Sequence, residues 1–219
     1  MKISIVGITG RMGQEVSKLL RSDEIFGGIS SCTTADEFEN IIENSSVVID
    51  FSVPQVSLRA AEYCAKYQIP LVCGTTGFCD EDFKKLESYA EHTPILYASN
   101  FSIGIFLMSR LIQMSEKVLD DFDISIIDRH HNKKKDSPSG TTLFLASQLK
   151  KAPQIVSLRV GGVAGDHICS FTGDDEEITI SHRSFNRRVF ASGAVKCAFW
   201  LVSQKKGFYS LKDFLDAKE

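Results

Sequence analysis

Over its first hundred residues the chain alternates short apolar runs with helical periodicities, and this alternation restricts the fold more than any other feature. Residues 2–6 form a short β-branched strand, after which Met12, Val16, Leu19 and Leu20 fall at i, i+4, i+7 and i+8, one face of a helix. An apolar strand is expected near 25–31, a short helix near 35–42, and a continuous apolar strand at 47–51, of the type buried on both faces. Ser52-Val53-Pro54 opens a helix with Val56, Ala60 and Cys64 at i, i+4 and i+8. Residues 70–73 and 94–98 read as strands, with 80–90 helical between them. Strand, helix, strand in repetition predicts an α/β unit, a Rossmann-like parallel sheet with helices on both faces. Ligands of such sheets bind beyond the carboxyl ends of the strands. Four loops lie there: 7–13, Phe51-Ser52, 74–77 and 98–101.

The first loop is Gly7-Ile8-Thr9-Gly10-Arg11-Met12-Gly13, spaced G-x-x-G-x-x-G rather than the stricter G-x-G-x-x-G. Strand, glycine-rich turn, helix is the order in which a backbone wraps a pyrophosphate and aims helix N–H groups at it. The second strand ends in Ser30-Ser31-Cys32-Thr33, without the acidic residue that would read a ribose 2′-hydroxyl.

After Phe101 the rhythm changes. Leu107, Leu111, Met114 and Val118 mark one face of a long helix, and Phe122, Ile124 and Ile126 then alternate with Asp123 and Ser125 as a half-buried strand. Continued at period two, that strand puts His130 on the apolar face and His131 on the other. The stretch D-R-H-H-N-K-K-K-D-S-P-S-G-T-T runs from 128 to 142. Ser137-Pro138 reads as an N-cap followed by proline at the first helical position, leaving the N–H groups of Ser139, Gly140 and Thr141 unpaired in the first turn. Free donors and the helix dipole both favour an anion there. Taken singly, each part has a plainer reading: a lysine run is a solvated loop, a His-His pair is structural, and S-P-S-G is an ordinary helix entry. Together they describe a pocket for an acidic small molecule. Beyond it come a helix over 139–149, a strand at 154–160, a glycine-rich connection over 161–166, and a strand in which Ile178 and Ile180 alternate with polar residues. Polar alternation predicts an α+β unit on a mixed or antiparallel open sheet, a kind of sheet that often joins subunits. Helices are expected from Val189 to Val202 and over 211–215. The domains are thus read as 1–100, with about 190–219 packing back, for a dinucleotide, and 101–189 for substrate binding and oligomerisation.

Composition narrows the classes. A net charge of −3 gives no global field toward nucleic acid or anionic membrane, and no stretch approaches the roughly 20 apolar residues of a span. No secretory signal is read at the N-terminus, and the six cysteines lack C-x-x-C spacing. The expectation is a cytoplasmic protein with reduced thiols and no metal site.

The segments V-G-I-T-G-R-M-G, I-D-F-S-V-P, C-G-T-T-G-F, S-N-F-S-I-G, H-H-N-K-K-K-D-S-P-S-G-T and F-A-S-G-A-V-K-C-A-F-W-L resemble, nearly end to end, the dihydrodipicolinate (4-hydroxy-tetrahydrodipicolinate) reductase family of lysine and diaminopimelate synthesis. The resemblance implies binding of NADPH and/or NADH at Gly7, Ile8, Thr9, Gly10, Arg11, Met12, Gly74, Thr75, Thr76, Ala98, Ser99, Asn100 and Phe101. It implies catalysis by His130 and Lys134, a cyclic dicarboxylate held by His131, Ser139, Gly140 and Thr141, and a homotetramer joined through the C-terminal sheet. Hydride reaches one carbon of that substrate and a proton its neighbour. Lys134 suits the general acid, and His130 a residue that tunes or relays the proton. The chain departs from the pattern in being short around the second strand, in Ser31 where an acidic ribose partner is common, and in Ser137 for alanine. A different dehydrogenase of aspartate-derived metabolites, or a nicotinamide-binding sensor without catalysis, are the alternative classes, and turnover of substrate separates them.

Overall fold

The computed structural model describes residues 1–217. The chain divides into two compact units, residues 1–101 with those from Phe190 onward, and residues 102–189.

The first unit contains β1 (Ile3–Val6), α1 (Arg11–Ser17), β2 (Ile25–Ile29), α2 (Ala35–Glu43), β3 (Val47–Asp50), α3 (Pro54–Tyr67), β4 (Leu71–Cys73), α4 (Asp80–Ser88) and β5 (Pro94–Tyr97). Every residue of β1, β3 and β4 is buried, which is why these runs are apolar save for Ser4 and Asp50 instead of alternating. All pairings in this sheet are parallel, β1 lying between β2 and β3, with β4 and β5 beyond β3. The chain therefore reverses its direction of winding between β1 and β3, the place where such sheets open a crevice. The ladder continues past the strand ends: Phe51 N–H donates to Val6 O (3.1 Å), Gly74 N–H to Asp50 O (2.8 Å) and Ala98 N–H to Cys73 O (3.2 Å). These bonds align the loops that follow β1, β3, β4 and β5 along one edge.

The second unit begins with α5 (Ile103–Val118), β6 (Asp123–His130), α6 (Gly140–Ser147), β7 (Gln154–Arg159), β8 (Gly165–Thr172) and β9 (Glu177–Ser184). Its sheet runs β7-β6-β8-β9, with β6 and β7 parallel and the other pairings antiparallel. Ile105, Met108 and Ile112 of α5 and Leu145 of α6 pack on Ile124, Ile126, Cys169 and Phe171. Burying each such side chain is worth about 1.5–3 kcal/mol.

Three expectations change here. The apolar stripe that the sequence marks on α5 is its outer one: Leu107, Met114 and Val118 are 56%, 59% and 76% exposed, while Ile105, Met108, Ser109 and Ile112 are buried. The helix is apolar on several faces, so periodicity alone does not choose the buried one. Gly165 and Asp166 are not part of a connection but open β8, whose buried Asp166 and His167 break the apolar alternation. Finally, after α7 (Arg188–Leu201), residues Gly207–Ser210 form β10, a sixth parallel strand beside β5, followed by α8 (Leu211–Asp216). Four residues at a sheet edge, none of them buried, leave little pattern to read.

Candidate active site

In the first unit, β1 turns through Gly7 at φ +79°, and a Cβ there would fall 2.6 Å from Phe51 O. Gly10 caps α1, no side chain bonds to that cap, and the first turn holds no acidic residue. A Cβ on Gly13 would lie 2.2 Å from Gly7 O, so helix and turn are closely apposed. A pyrophosphate fits this cradle: close backbone, uncapped first-turn donors and no repelling carboxylate. Arg11, Thr76 and Ser99 are exposed, and Ile8, Met12, Gly74, Ala98 and Asn100 are half-buried. Two residues are more enclosed than a ligand contact through the side chain requires. Phe101 is buried and meets Phe51 edge-on, and the Thr75 hydroxyl donates to Asp50 Oδ2 (2.9 Å) while accepting from Ser52 N–H (2.9 Å).

The second unit gathers the histidine and lysine segment around Asp128. Period two along β6 puts Ile124, Ile126, Asp128 and His130 on the buried face. Register then sets Ser157 on β7 and His167 on β8 directly beside Asp128, and His182 on β9 beside His167, a polar row across all four strands. The next row toward the strand ends includes Arg159 beside His130. Asp128 is 0% exposed, and its Oδ2 accepts from Ser139 N–H (2.7 Å), Ser157 Oγ (3.2 Å) and Arg159 Nη2 (3.1 Å). Its Oδ1 faces His130 Nδ1 at 2.6 Å, off the angle of a straight hydrogen bond, and neither atom has another partner. Burial pushes the Asp128 carboxyl up, but the Ser139 N–H, Arg159 and His130 together hold it below the usual carboxylate range. Burial lowers the pKa of His130 against the opposing pull of Asp128. Asp128, His130 and His167 also form a group that could ligate a metal. Arg159 already supplies Asp128 with the positive charge that an ion would bring.

Ser139, not Ser137, is the N-cap of α6, its side chain accepting from Thr142 N–H (3.2 Å). The Ser139 N–H is bonded to Asp128, not free as the sequence suggested, because the register brings that carboxylate under the turn. Asp136 pairs with Lys134 Nζ at 2.8 Å, and that pair, with a smaller contribution from the Gly140 N–H, holds its carboxyl below the usual range. Of the three consecutive lysines, only Lys134 is half-buried; Lys133 and Lys135 are exposed. His131 is half-buried, and its carbonyl accepts from Lys134 N–H (3.1 Å). Sequence reasoning missed Asp128, Arg159 and His167. Period two pointed to the first, since it shares a face with His130.

The comparisons with known proteins cover both units. Residues 1–101 match the family model described as dihydrodipicolinate reductase, N-terminus, and residues 104–215 the one described as dihydrodipicolinate reductase, C-terminus. The chain belongs to the dihydrodipicolinate reductase family. It is 38% identical over 216 residues to 4-hydroxy-tetrahydrodipicolinate reductase of Thermosipho africanus, spanning 98% of both chains, so this short form has a relative of nearly equal length. The reductase of that name from Rickettsia bellii is 38% identical over 235 residues, covering 98% of this chain and 94% of its own. Among solved structures, the dipicolinate-bound dihydrodipicolinate reductase of Paenisporosarcina sp. TG-14 shares the fold, with TM-score 0.79 and 23% identity over 96% of this chain and 97% of that one. Dihydrodipicolinate reductases are nicotinamide-dependent, in keeping with the glycine cradle after β1.

His167 gives this site a pH signature. It is 4% exposed, and burial, then neighbouring His130, pushes its pKa down to about 4. The unfolded chain takes up that proton near 6.5, so the linked stability is full above about pH 6.5 and is lost as pH falls toward 4. The loss is on the order of 3 kcal/mol. Urea unfolding of the wild type between about pH 7 and about pH 4.5 should show this slope, and His167→Gln should flatten it.

Proposed function

We propose that this chain reduces 4-hydroxy-tetrahydrodipicolinate (dihydrodipicolinate) to tetrahydrodipicolinate with a nicotinamide cofactor, in lysine and diaminopimelate biosynthesis. The observation that carries the reading is the match of both units to the family together with one cluster of His130, Lys134 and the start of α6. The nicotinamide, when bound at the glycine cradle and the 74–76 and 98–101 loops, supplies the hydride. Lys134 gives the proton: its stem is shielded and its ammonium pairs with Asp136, whose carboxyl pKa is lowered first by that pair and also by the Gly140 N–H of the first turn of α6. An ammonium there both pairs with a substrate carboxylate and donates to the neighbouring carbon. His130, held by Asp128, relays or tunes that proton. His131, Gly140 and Thr141 hold the dicarboxylate, with Ser139 contributing as the cap that shapes the turn.

The outer sheet face, where Val156 and Leu158 of β7 and the following Val160 are exposed, supports assembly into a homotetramer. Among the described residues no helix is long and apolar enough to cross a membrane, and a cytoplasmic site of action fits this reading. Turnover of synthetic substrate, followed as loss of nicotinamide absorbance, tests the activity. Binding of the cofactor without turnover would favour a sensor.

Three outcomes follow from named groups. After β2, Ser30 N–H donates to Thr33 Oγ1 (3.0 Å) and Cys32 N–H to Ser30 Oγ (3.3 Å), a turn of hydroxyls with no carboxylate to repel a 2′-phosphate. Arg11 is the nearest candidate to attract one. Both nicotinamides should therefore serve, NADPH at least as well as NADH in kcat/KM; a strong NADH preference would contradict this.

Lys134→Met should lower kcat by roughly 10²–10⁴, the range for losing a general acid. The same change at exposed Lys133 or Lys135 should matter far less, and equal losses at all three would mean that a diffuse positive field is at work.

Nothing lies within 4 Å of a Cβ built on Gly140, so Gly140→Val is tolerated by the fold and its side chain projects where the ligand would approach. It should raise KM for the dicarboxylate and leave the nicotinamide Kd unchanged, because the cofactor loops belong to the other unit. His131→Ala should act in the same direction more weakly. Isothermal titration with each ligand measures both effects, and equal weakening of the two would count against a dedicated dicarboxylate turn.

A further inference from the structure

We propose that Asp128 is a positioning residue for this reaction, a single carboxylate that aims the imidazole of His130 and fixes the cap of the anion-binding turn. The proposal rests on the reading above that His130 takes part in proton transfer and that the start of α6 receives the dicarboxylate.

The two oxygens of Asp128 have separate tasks. Oδ2 takes Ser139 N–H at 2.7 Å, Ser157 Oγ at 3.2 Å and Arg159 Nη2 at 3.1 Å, which ties β6, β7 and the N-cap of α6 to one atom. Oδ1 has no hydrogen-bond partner among these and lies 2.6 Å from His130 Nδ1, which has none either. Two orphaned, fully enclosed atoms at that distance satisfy each other only if Nδ1 carries the proton. The neutral ring is thereby held as the Nδ1–H tautomer, and Nε2 becomes the atom that gains and loses a proton. That flank of the ring is open because residue 165 is glycine: a Cβ there would stand 3.2 Å from Nε2. His167 packs edge-on against the ring at 5.2 Å and resists its rotation. The same His167 contacts Ser139 Oγ at 3.3 Å, so the cap is gripped from two sides.

Charge points the same way. Lys134 and Arg159 both face His130 and oppose its protonation. His167 is neutral at neutral pH. Asp128 is the carboxylate that favours the charged ring. A carboxylate that merely filled a polar gap would have no reason to govern that titration.

The decisive measurement follows ¹⁵N-histidine-labelled full-length chain by long-range ¹H–¹⁵N correlation, with His130 assigned from the spectrum of His130→Gln. In the wild type, neutral His130 should be the Nδ1–H tautomer, and a dominant Nε2–H tautomer would overturn the proposal without any variant at position 128. In Asp128→Asn the His130 midpoint should fall, that tautomer should lose its dominance, and the pH limb of kcat that follows His130 should move to lower pH. The Kd for dipicolinate, used as the dicarboxylate probe, should rise about tenfold, as expected for loss of one charge-assisted contact under the turn. Asp128→Glu, which keeps the charge, should restore the midpoint most of the way. Reduced stability in Asp128→Asn with the His130 midpoint, its tautomer and dipicolinate affinity all unchanged would reduce Asp128 to a structural residue. Wild-type kcat in His130→Gln would instead overturn the functional reading, and the titration of His130 would still decide whether Asp128 positions it.

Discussion

Each sheet carries, at or near a strand end, a carboxylate that water does not reach, and the loops that matter are arranged by what those carboxylates need. Asp50 closes β3 and Asp128 lies two residues before His130, the end of β6; both are 0% exposed. A carboxylate in that position must be met by donors, because an unpaired buried charge costs about 3–5 kcal/mol. Asp50 is met by Ser52 N–H (3.0 Å), Ser52 Oγ (2.5 Å), Thr75 Oγ1 (2.9 Å) and Ser57 Oγ, all neutral groups. Burial consequently wins, and its pKa is raised. Asp128 meets Arg159 and His130 besides the Ser139 N–H, and its pKa is lowered. One carboxylate shapes loops, the other also carries charge into a site. Ser52 and Thr75 belong to two of the loops at the carboxyl edge of the sheet, so Asp50 holds both loops, one through a backbone N–H and one through a hydroxyl, in advance of any ligand.

Register does the corresponding work in the second sheet. Ile155, Ile126, Cys169 and Ile180 form one row on the helix-covered face, and Ser157, Asp128, His167 and His182 form the next polar row on that face. A slip of one residue in any strand would send its polar member to the other face and leave the rest of the row unsatisfied. On that other face, Arg129 pairs with Asp166 at 2.5 Å and Arg183 with the same oxygen at 3.2 Å. Ionic matching thus favours the same register on both faces.

The sequence was legible where one physical signal dominated. Central parallel strands show themselves as nearly unbroken apolar runs, and the glycine turn after β1 by its spacing. Period two carries from Phe122 to His130 and passes through Asp128, but nothing local marks that carboxylate as the hub of a row. A polar residue on a buried face looks like a loop until its cross-strand partners are known, and the same ambiguity concealed β8 behind Asp166 and His167. On α5, Leu107 and Met114 compete with Ile105, Met108 and Ile112, and only the packing of β6 and β8 decides between them. The cap of α6 moved from Ser137 to Ser139 for a similar reason: a local capping rule knows nothing of a carboxylate arriving from a distant strand.

Next to the start of α6 the chain already places a carboxylate of its own. The Lys134 ammonium pairs with the carboxylate of Asp136, whose side chain is 56% exposed, and this pair with the nearby Gly140 N–H holds that carboxyl below its usual range. The backbone of Asp136 is held independently, its carbonyl accepting from Arg159 Nη2 at 2.6 Å. On the proposed reading, an incoming carboxylate would exchange with one that water can solvate, while the donors keep their places. The net gain of such an exchange is far smaller than the strength of the bonds themselves, since like replaces like. What distinguishes the substrate from Asp136 is its second carboxylate and its ring. On the proposed reading selectivity would come from groups that Asp136 does not already satisfy, and His131, half-buried and outside the Asp128 network, is the candidate.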